Sequence, residues 1–272
     1  MTAEEIELLL LDLDGTLLDP ARQIRPATLE VLQTAMSRGY AVGLCSSRSP
    51  RAVRPFVDEL QPNGPQILLS GCLLWDSARQ APIAGRALRR DRAVTLLEVA
   101  LDHGVEVTAT IGDDVYVRSR TELSRHDEHR DRAPHIEVDD LVTFVRDHAE
   151  DTTRLVCLHR SGDFTQLRDS LRAIDEECSL VRSAPTHLEI LPADANKGTM
   201  LDELEHHYRI NPRHILAFGD ERDDVELLRR AGASVVMGNA PHVMRTLVPD
   251  AVFIGSHDTD AIATFLTKLL RF

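Results

Sequence analysis

Residues 7–18, ELLLLDLDGTLL, constrain this chain more than any other stretch. Leu8, Leu9, Leu10 and Leu11 form a continuous apolar run. Such a run suits a strand buried on both faces, as in a parallel sheet. It stops abruptly at Asp12-Leu13-Asp14-Gly15-Thr16. Side chains alternate along a strand, so Asp12 and Asp14 project to one side for as long as the extended backbone continues. Carboxylates at the carboxyl end of a buried strand stand where open α/β sheets bind ligands. Gly15 lets the backbone leave the strand sharply. Two like charges this close require a cation or a proton between them. A divalent metal with oxygen ligands meets that need, and Mg²⁺ is the natural choice where phosphate is also present. One carboxylate can then attack phosphorus. Taken alone, Asp-x-Asp fits a solvated turn after a strand equally well.

The chain that follows supplies the rest of a parallel sheet. Residues 26–38 have helical periodicity, with Pro26 in the first turn and Gly39 at the stop. Residues 40–46 read as a second strand, and the short joints imply a right-handed parallel crossover. That strand ends in Ser46-Ser47-Arg48-Ser49-Pro50, followed by a helix. A hydroxyl and backbone N–H groups at such a turn make an anion cradle; an ordinary Ser helix cap fits the same residues. Residues 66–70 are a third strand, Gly71 follows, and residues 72–76 read as an edge strand.

Between about 84 and 185 the pattern changes. Helices are expected over 89–103, 142–148 and 164–177, the last after Asp163 as its cap. A hairpin over 105–111 and 115–118 turns at Gly112-Asp113-Asp114. Residues 154–159, 180–183 and 187–191 are strand-like, and the charged stretch 120–134 is a helix or a loop. Segregated strands and helices read as an α+β insert rather than more parallel sheet. The first pattern then resumes. Ala195-Asn196-Lys197-Gly198 opens a helix to Tyr208, and Lys197 there either meets a phosphate or is a solvated lysine. A strand over 214–219 runs into Asp220-Glu221-Arg222-Asp223-Asp224, then a helix over 225–231. Carboxylates clustered at a strand end read as a metal site; for Glu221 and Asp223 a helix N-terminus favoured by the macrodipole is the competing reading. A strand over 233–239, a helix from Ala240-Pro241, a strand over 251–255 and a helix over 258–270 finish the chain.

At 272 residues the chain suits one elaborated domain or two unequal ones. Its formal net charge of −13 argues against nucleic-acid or acidic-membrane surfaces as partners. An acidic chain that handles phosphate must concentrate cations locally. The N-terminus lacks the pattern of a signal peptide, and the leucine run is too short to span a bilayer. Cys45, Cys72, Cys157 and Cys178 show neither paired metal-ligand nor disulfide-framework spacing, so reduced packing residues in a cytoplasmic protein are expected. The histidines, including His126 and His129, read as structural or solvated; residues 118–125 and Thr186-His187 are weaker candidates for reading a substrate.

DLDGT after four leucines resembles the first motif of the haloacid dehalogenase-like superfamily. Ser46 falls at its second motif, Lys197-Gly198 resembles its third, and GDERDD (219–224) resembles its fourth. AGASVVMGNA (231–240) is similar to the segment that follows in Cof-type sugar phosphatases, where Asn239 contacts the loop or the substrate. The chain departs from that branch at Ser47 (usually Gly), Ser70 (usually Asn) and Asp223 (usually Asn). The resemblance implies a Rossmann-like parallel-sheet core, residues 1–83 and 191–272, with an inserted α+β cap, residues 84–190. It implies a Mg²⁺-dependent phosphatase acting on a small phosphorylated metabolite, a monomer or homodimer that binds neither nucleic acid nor membrane. Asp12 would be the nucleophile, Asp14 the acid/base, and Lys197 a further catalytic group. Leu13, Ser46, Ser47, Lys197 and Asp223 would bind the phosphate; Asp12, Asp14, Asp220 and Asp224 would hold the metal. A phosphotransferase or mutase on the same core, or a catalytically weak phosphate-binding regulator, shares these features. An ion-pump-like domain does not, since its motif has Thr where Asp14 stands.

Overall fold

The leucine run forms the middle of a sheet. The computed structural model describes residues 3–131, 134–176 and 178–271. In chain order the first elements are β1 (Leu8–Asp12), α1 (Pro26–Ser37), β2 (Ala41–Cys45), α2 (Pro50–Leu60), β3 (Gln66–Leu68), β4 (Leu73–Asp76) and β5 (Ala81–Gly85). Then come α3 (Arg90–Asp102), β6 (Glu106–Ile111), β7 (Asp114–Val117), α4 (Glu122–Asp131), β8 (His135–Glu137), α5 (Leu141–Asp147), β9 (Arg154–Leu158), α6 (Thr165–Ile174), β10 (Ser179–Ala184) and β11 (His187–Leu191). The last are α7 (Met200–Tyr208), β12 (Ile215–Gly219), α8 (Val225–Arg230), β13 (Ala233–Val236), α9 (Met244–Leu247), β14 (Val252–Phe253) and α10 (Ala261–Leu270). Arg132, Ala133 and Glu177, which fall in segments read above as possible helix, lie outside the described residues.

The chain divides into two compact units. One comprises Met1–Ser47, Arg54–Ala84 and Asn196–Phe272, the other Arg48–Val53 and Gly85–Ala195. The first holds an eight-stranded sheet in the order β14-β13-β12-β1-β2-β3-β4-β5. From β14 to β3 every neighbouring pair is parallel. Leu8, Leu9, Leu10 and Leu11 are all fully buried because both faces of the sheet are covered. Leu8 and Leu10 pack with Met200, Leu204 and Leu227 of α7 and α8. Leu11 lies in register with Phe218, whose ring meets Phe265 of α10 edge-on, and α10 packs on α1. Each fully buried leucine contributes roughly 1.5–3 kcal/mol relative to exposure.

The second unit holds a six-stranded sheet, β10-β11-β9-β6-β7-β8, antiparallel except between β7 and β8. Val107, Ala109, Leu155, Cys157, Leu188 and Ile190 alternate onto one face, under α3, α5 and α6. The residues that alternate with them include buried polar ones, Thr108, Thr110, Arg154, His187 and Glu189, beside the apolar Val156, Leu158 and Leu191. Arg154 and Glu189 form a buried ion pair at 3.0 Å. Both ring nitrogens of His187 are engaged within this unit, one by Thr186 and the other by Asp127, each at 3.0 Å.

The α/β core with an α+β insert matches the expected class. Several local expectations change. β4 is not the edge, because β5 lies outside it. The sequence of β5, APIAG, shows no alternation and contains Pro82, which a sheet tolerates only at such a margin. β3 stops at Leu68, and the chain turns through Leu69–Gly71 instead of extending to Ser70. The charged stretch 120–134 holds the helix α4, and the three-residue β8 follows it, where the sequence pattern indicates no element. The helix after Lys197 begins only at Met200. The four cysteines are free and buried. Among the described residues no helix is long and apolar enough to cross a membrane.

Candidate active site

β1, β2 and β12 bring their carboxyl ends to one place. Asp12 closes β1 and is in register with Cys45, so Ser46 leaves the sheet beside it on β2. On the other side β12 ends at Gly219 and Asp220 follows. Strand order reverses across β1, which is where open α/β sheets hold ligands.

Asp12 is buried, and so is the ammonium that answers it. Lys197 Nζ lies 2.8 Å from Asp12 Oδ1, 2.6 Å from Asp224 Oδ1 and 2.8 Å from Asp223 Oδ2. Asp224 is fixed from below, because its Oδ2 accepts the backbone N–H groups of Asp220 (3.0 Å) and Glu221 (3.1 Å). Glu221 caps the turn Arg222–Asp224, the helix-terminus role that its position also allowed. Asp220 is oriented by Thr16, whose hydroxyl donates to Oδ1 at 3.1 Å, and by Asn239, whose amide donates to Oδ2 at 3.0 Å. Asn239 also donates to the Gly15 carbonyl at 2.9 Å, so it ties the first loop to the fourth segment.

Not every residue singled out from the sequence joins this group. The chain leaves β1 at Leu13, whose carbonyl accepts the amides of Thr16 (3.3 Å) and Leu18 (2.9 Å). The extended geometry therefore ends at Asp12, and alternation does not reach Asp14. The Asp14 residue is exposed, and its carboxylate is outside the close group formed by Asp12, Asp220 and Asp224. Leu13 is fully buried, which leaves only its backbone for contact with a ligand. Ser46 is buried and Ser47 half-buried at the end of β2.

Lys197 sits in a turn, not in the helix. Asn196 Oδ1 accepts the amides of Gly198 and Thr199, each at 2.9 Å, which closes that turn. A second turn supports it from the side. Leu69, Ser70 and Gly71 all have positive φ (52°, 57° and 91°), a conformation uncommon for non-glycine residues. A Cβ on Gly71 would lie 2.1 Å from the Asn196 carbonyl oxygen, so only glycine permits this approach. The Ser70 amide donates to the Ser46 carbonyl at 3.2 Å. One backbone turn thus braces both the Ser46 and the Lys197 segments. The Asn found at position 70 in the resembled branch suits the left-handed region better than Ser does. Thr16, Asn239, Asn196 and the turn at 69–71 complete the site. Of these, Thr16 and Asn239 stood within recognised strings, and Asn196 had the residue type of a cap.

The electrostatics follow from four carboxylates around one ammonium. Burial pushes the Asp12 carboxyl well above the usual carboxylate range; Lys197 opposes this, while Asp224, Asp220 and Asp223 add to it. Burial, then Asp224 and Glu221, push Asp220 up to about 8 against the hydrogen bond from Thr16. Burial acts to lower the Lys197 ammonium, but Asp12, Asp223 and Asp224 outweigh it and hold the group well above the usual lysine range. Oxygens of Asp12, Asp220 and Asp224 all lie within 4.8 Å of one another, the only such group of acidic, histidine or cysteine ligands among the described residues. Two oxygens opposite each other on Mg²⁺ are about 4.2 Å apart, so the donor set and its spacing fit a hard dication.

A doubly wound sheet with an acidic site and a buried lysine at its switch point defines an α/β protein built to handle an anion beside a cation. The model of the haloacid dehalogenase-like hydrolase family matches residues 9–266, and the chain belongs to that family. It is 28% identical over 270 residues to the 5-amino-6-(5-phospho-D-ribitylamino)uracil phosphatase of Bacillus subtilis, covering 96% of each. It is 30% identical over 272 residues to an HMP-PP phosphatase of Serratia proteamaculans, covering 96% of this chain and 94% of the relative. The pyridoxal phosphate phosphatase of Escherichia coli is 26% identical over 263 residues, covering 94% and 96%. A haloacid dehalogenase-like hydrolase from Bacteroides thetaiotaomicron shares the fold, with a TM-score of 0.86 at 20% identity over 97% of this chain and 99% of that one. The chain is a hydrolase whose relatives are phosphatases acting on small phosphorylated substrates.

Proposed function

We propose that this chain is a Mg²⁺-dependent phosphatase that hydrolyses a small phosphomonoester, a sugar phosphate or similar, through an aspartyl phosphate on Asp12. The observation that carries the reading is the meeting of Asp12, Asp220 and Asp224 with Lys197 at the sheet's switch point. Asp12, Asp220 and the backbone carbonyl of Asp14 would hold the ion, with Asp224 in support. A dication there offsets the repulsion between the Asp12 carboxylate and the phosphoryl oxygens.

Asp12 attacks phosphorus in line, forming its Oδ–P bond as the bond to the leaving oxygen breaks. Asp14, on the exposed side of the loop, protonates that oxygen and later takes a proton from the water that cleaves the aspartyl phosphate. Lys197, the Ser46 hydroxyl and the N–H groups of Leu13 and Ser47 stabilise charge on the transferring group. Residues 84–190 act as a cap that sets specificity, and the protein works in the cytoplasm as a monomer or homodimer.

Asp12→Asn is expected to abolish turnover. The assay is phosphate release by highly purified protein, with and without Mg²⁺, over sugar phosphates and the three substrates named for its relatives. Intact Mg²⁺-dependent release in Asp12→Asn would overturn the nucleophile assignment.

The Asp220 carboxyl, held up at about 8, gives a second prediction. Between its ordinary value near ~4 and that value, the folded metal-free protein holds a proton that the unfolded chain has released. Stability from this group is therefore full at low pH and lost as pH rises toward 8. Without Mg²⁺ the Tm should fall between pH 5 and pH 8, and Mg²⁺ should raise it far more at pH 8. An equal Mg²⁺ effect at both values would remove the carboxylate group as the binding site.

A further inference from the structure

We propose that His257 is a positioning residue for the loop that follows Asp12: its ring and its backbone amide hold that loop at two points and so keep Asp14 in place to protonate the leaving oxygen. The inference rests on the reading of Asp14 as the acid/base.

The chain after β14 is built to bring His257 to the site. The Ile254 amide donates to the Val236 carbonyl, and the Gly238 amide to the Gly255 carbonyl, each at 3.0 Å. A Cβ on Gly238 would lie 2.9 Å from the Gly255 carbonyl carbon and from the Ser256 nitrogen, so the two backbones meet with no side chain between them. The Ser256 carbonyl accepts the Thr259 amide at 3.0 Å and the Thr259 hydroxyl at 2.7 Å, which closes a turn around His257.

From that turn His257 makes two hydrogen bonds to the site. Its Nδ1 lies 2.7 Å from the Leu18 carbonyl oxygen. A carbonyl oxygen only accepts, so Nδ1 carries the proton. Its backbone amide donates to Asn239 Oδ1 at 3.1 Å. A backbone N–H only donates, so this bond decides which way round the Asn239 side chain stands. Its oxygen faces His257, and its amino group meets the Gly15 carbonyl at 2.9 Å and Asp220 Oδ2 at 3.0 Å.

Leu18 is where the loop closes on itself. Its amide donates to the Leu13 carbonyl at 2.9 Å, and it forms β-bridges with Asp14 and with Ile24. The carbonyls of Gly15 and Leu18 are thus held by Asn239 and His257, and Asp14 is adjacent to the first and bridged to the second. Asp12 does not depend on this contact: it ends β1, and Lys197 Nζ donates to its Oδ1 at 2.8 Å. Loss of the ring hydrogen bond therefore disturbs the proton donor more than the nucleophile. Proton donation matters most where the leaving oxygen is strongly basic, as in an alkyl phosphate, and least for p-nitrophenyl phosphate.

The test measures kcat/KM, which covers the steps up to departure of the leaving group, at saturating Mg²⁺. The substrates are p-nitrophenyl phosphate and the alkyl phosphomonoester that the wild type hydrolyses fastest. The proteins are the full chain and its His257→Phe, His257→Gln and His257→Asn variants. Phenylalanine keeps the ring without a donor, and glutamine carries its amino group one bond too far from the backbone. Asparagine places an N–H where Nδ1 stands. His257→Phe and His257→Gln should lose about a hundredfold on the alkyl ester and at most about tenfold on p-nitrophenyl phosphate, the scale of general acid catalysis, while His257→Asn stays within about threefold of wild type on both. The first two disturb packing differently, so a loss common to them and absent from His257→Asn belongs to the hydrogen bond. Equal losses on the two esters, or no rescue by asparagine at wild-type Tm, would reduce His257 to a staple of the fold and overturn the proposal. Asp14→Asn separates the failures: if its loss is equal on both esters, or if the wild type hydrolyses neither, the acid/base reading falls first and this inference with it.

Discussion

Lys197→Met is expected to lose turnover and, in the absence of Mg²⁺, to become a protein whose stability falls steeply above neutral pH. Lys197 is buried and touches Asp12, Asp223 and Asp224 within 2.8 Å. Methionine fills much of the same volume but leaves the carboxylates facing one another. Removing one partner of a buried ion pair costs about 3–5 kcal/mol, because the remaining charge keeps its desolvation penalty. Here the remaining acids can avoid part of that cost by binding protons, and the carboxyls of Asp12 and Asp220 are already raised with the lysine present. Without it they rise further, so the folded state holds protons that the unfolded chain has given up. Stability is then retained at acidic pH and lost as pH climbs. Denaturant unfolding at pH 5.5 and pH 8 should show a deficit concentrated at pH 8, and Mg²⁺ should restore much of it. Turnover should not recover, since losing one preorganised stabiliser of transition-state charge costs about 10²–10³-fold. Full activity in Lys197→Met would remove Lys197 from the reaction; a deficit equal at both pH values would mean that packing, not charge, explains its burial.

What could be read from the sequence follows how local each cause is. Four leucines ending in Asp12 can serve few purposes besides a strand buried on both faces, and the structure buries all four. The α/β order, the insert and the strands leading to Asp12, Ser46 and Asp220 were legible for the same reason: each rests on periodicity within a dozen residues. Features decided by distant neighbours were not. The strand expected to reach Ser70 stops at Leu68 because the backbone must turn to meet the Asn196 carbonyl, more than a hundred residues away. Lys197 lies in a turn because Asn196 takes the amides that a helix start would otherwise leave open. The inference that Asp12 and Asp14 share one side depended on extended backbone, and the hydrogen bonds at Leu13 end it. The departure at Asp223 adds charge on paper, but only coordinates place that charge against Lys197.

Gly15→Ala should separate the geometry of the carboxylate group from the stability of the loop that carries it. Gly15 has φ +85°, and a Cβ there would lie 2.3 Å from Asp220 Oδ2 and 2.8 Å from its Cγ. Asp220 cannot yield freely, because Thr16 holds one oxygen at 3.1 Å and Asn239 the other at 3.0 Å. The methyl group must therefore push the carboxylate out of line with Asp12 and Asp224 or drag the first loop away from β12. Either movement spoils the close grouping of oxygens, and a displacement of about 1 Å in an active site can cost 10²-fold in rate. Alanine also pays roughly 1–2 kcal/mol for the left-handed backbone itself. Gly39→Ala controls for that cost, since Gly39 has φ +97° and its Cβ would meet nothing within 4 Å. Both variants should lose stability, but only Gly15→Ala should need more Mg²⁺ for half-maximal activity and lose turnover at saturating substrate. Measuring phosphate release against Mg²⁺ concentration in the two proteins decides the matter. Equal losses would assign the effect to backbone strain, and wild-type Mg²⁺ dependence in Gly15→Ala would mean that Asp220 holds no metal.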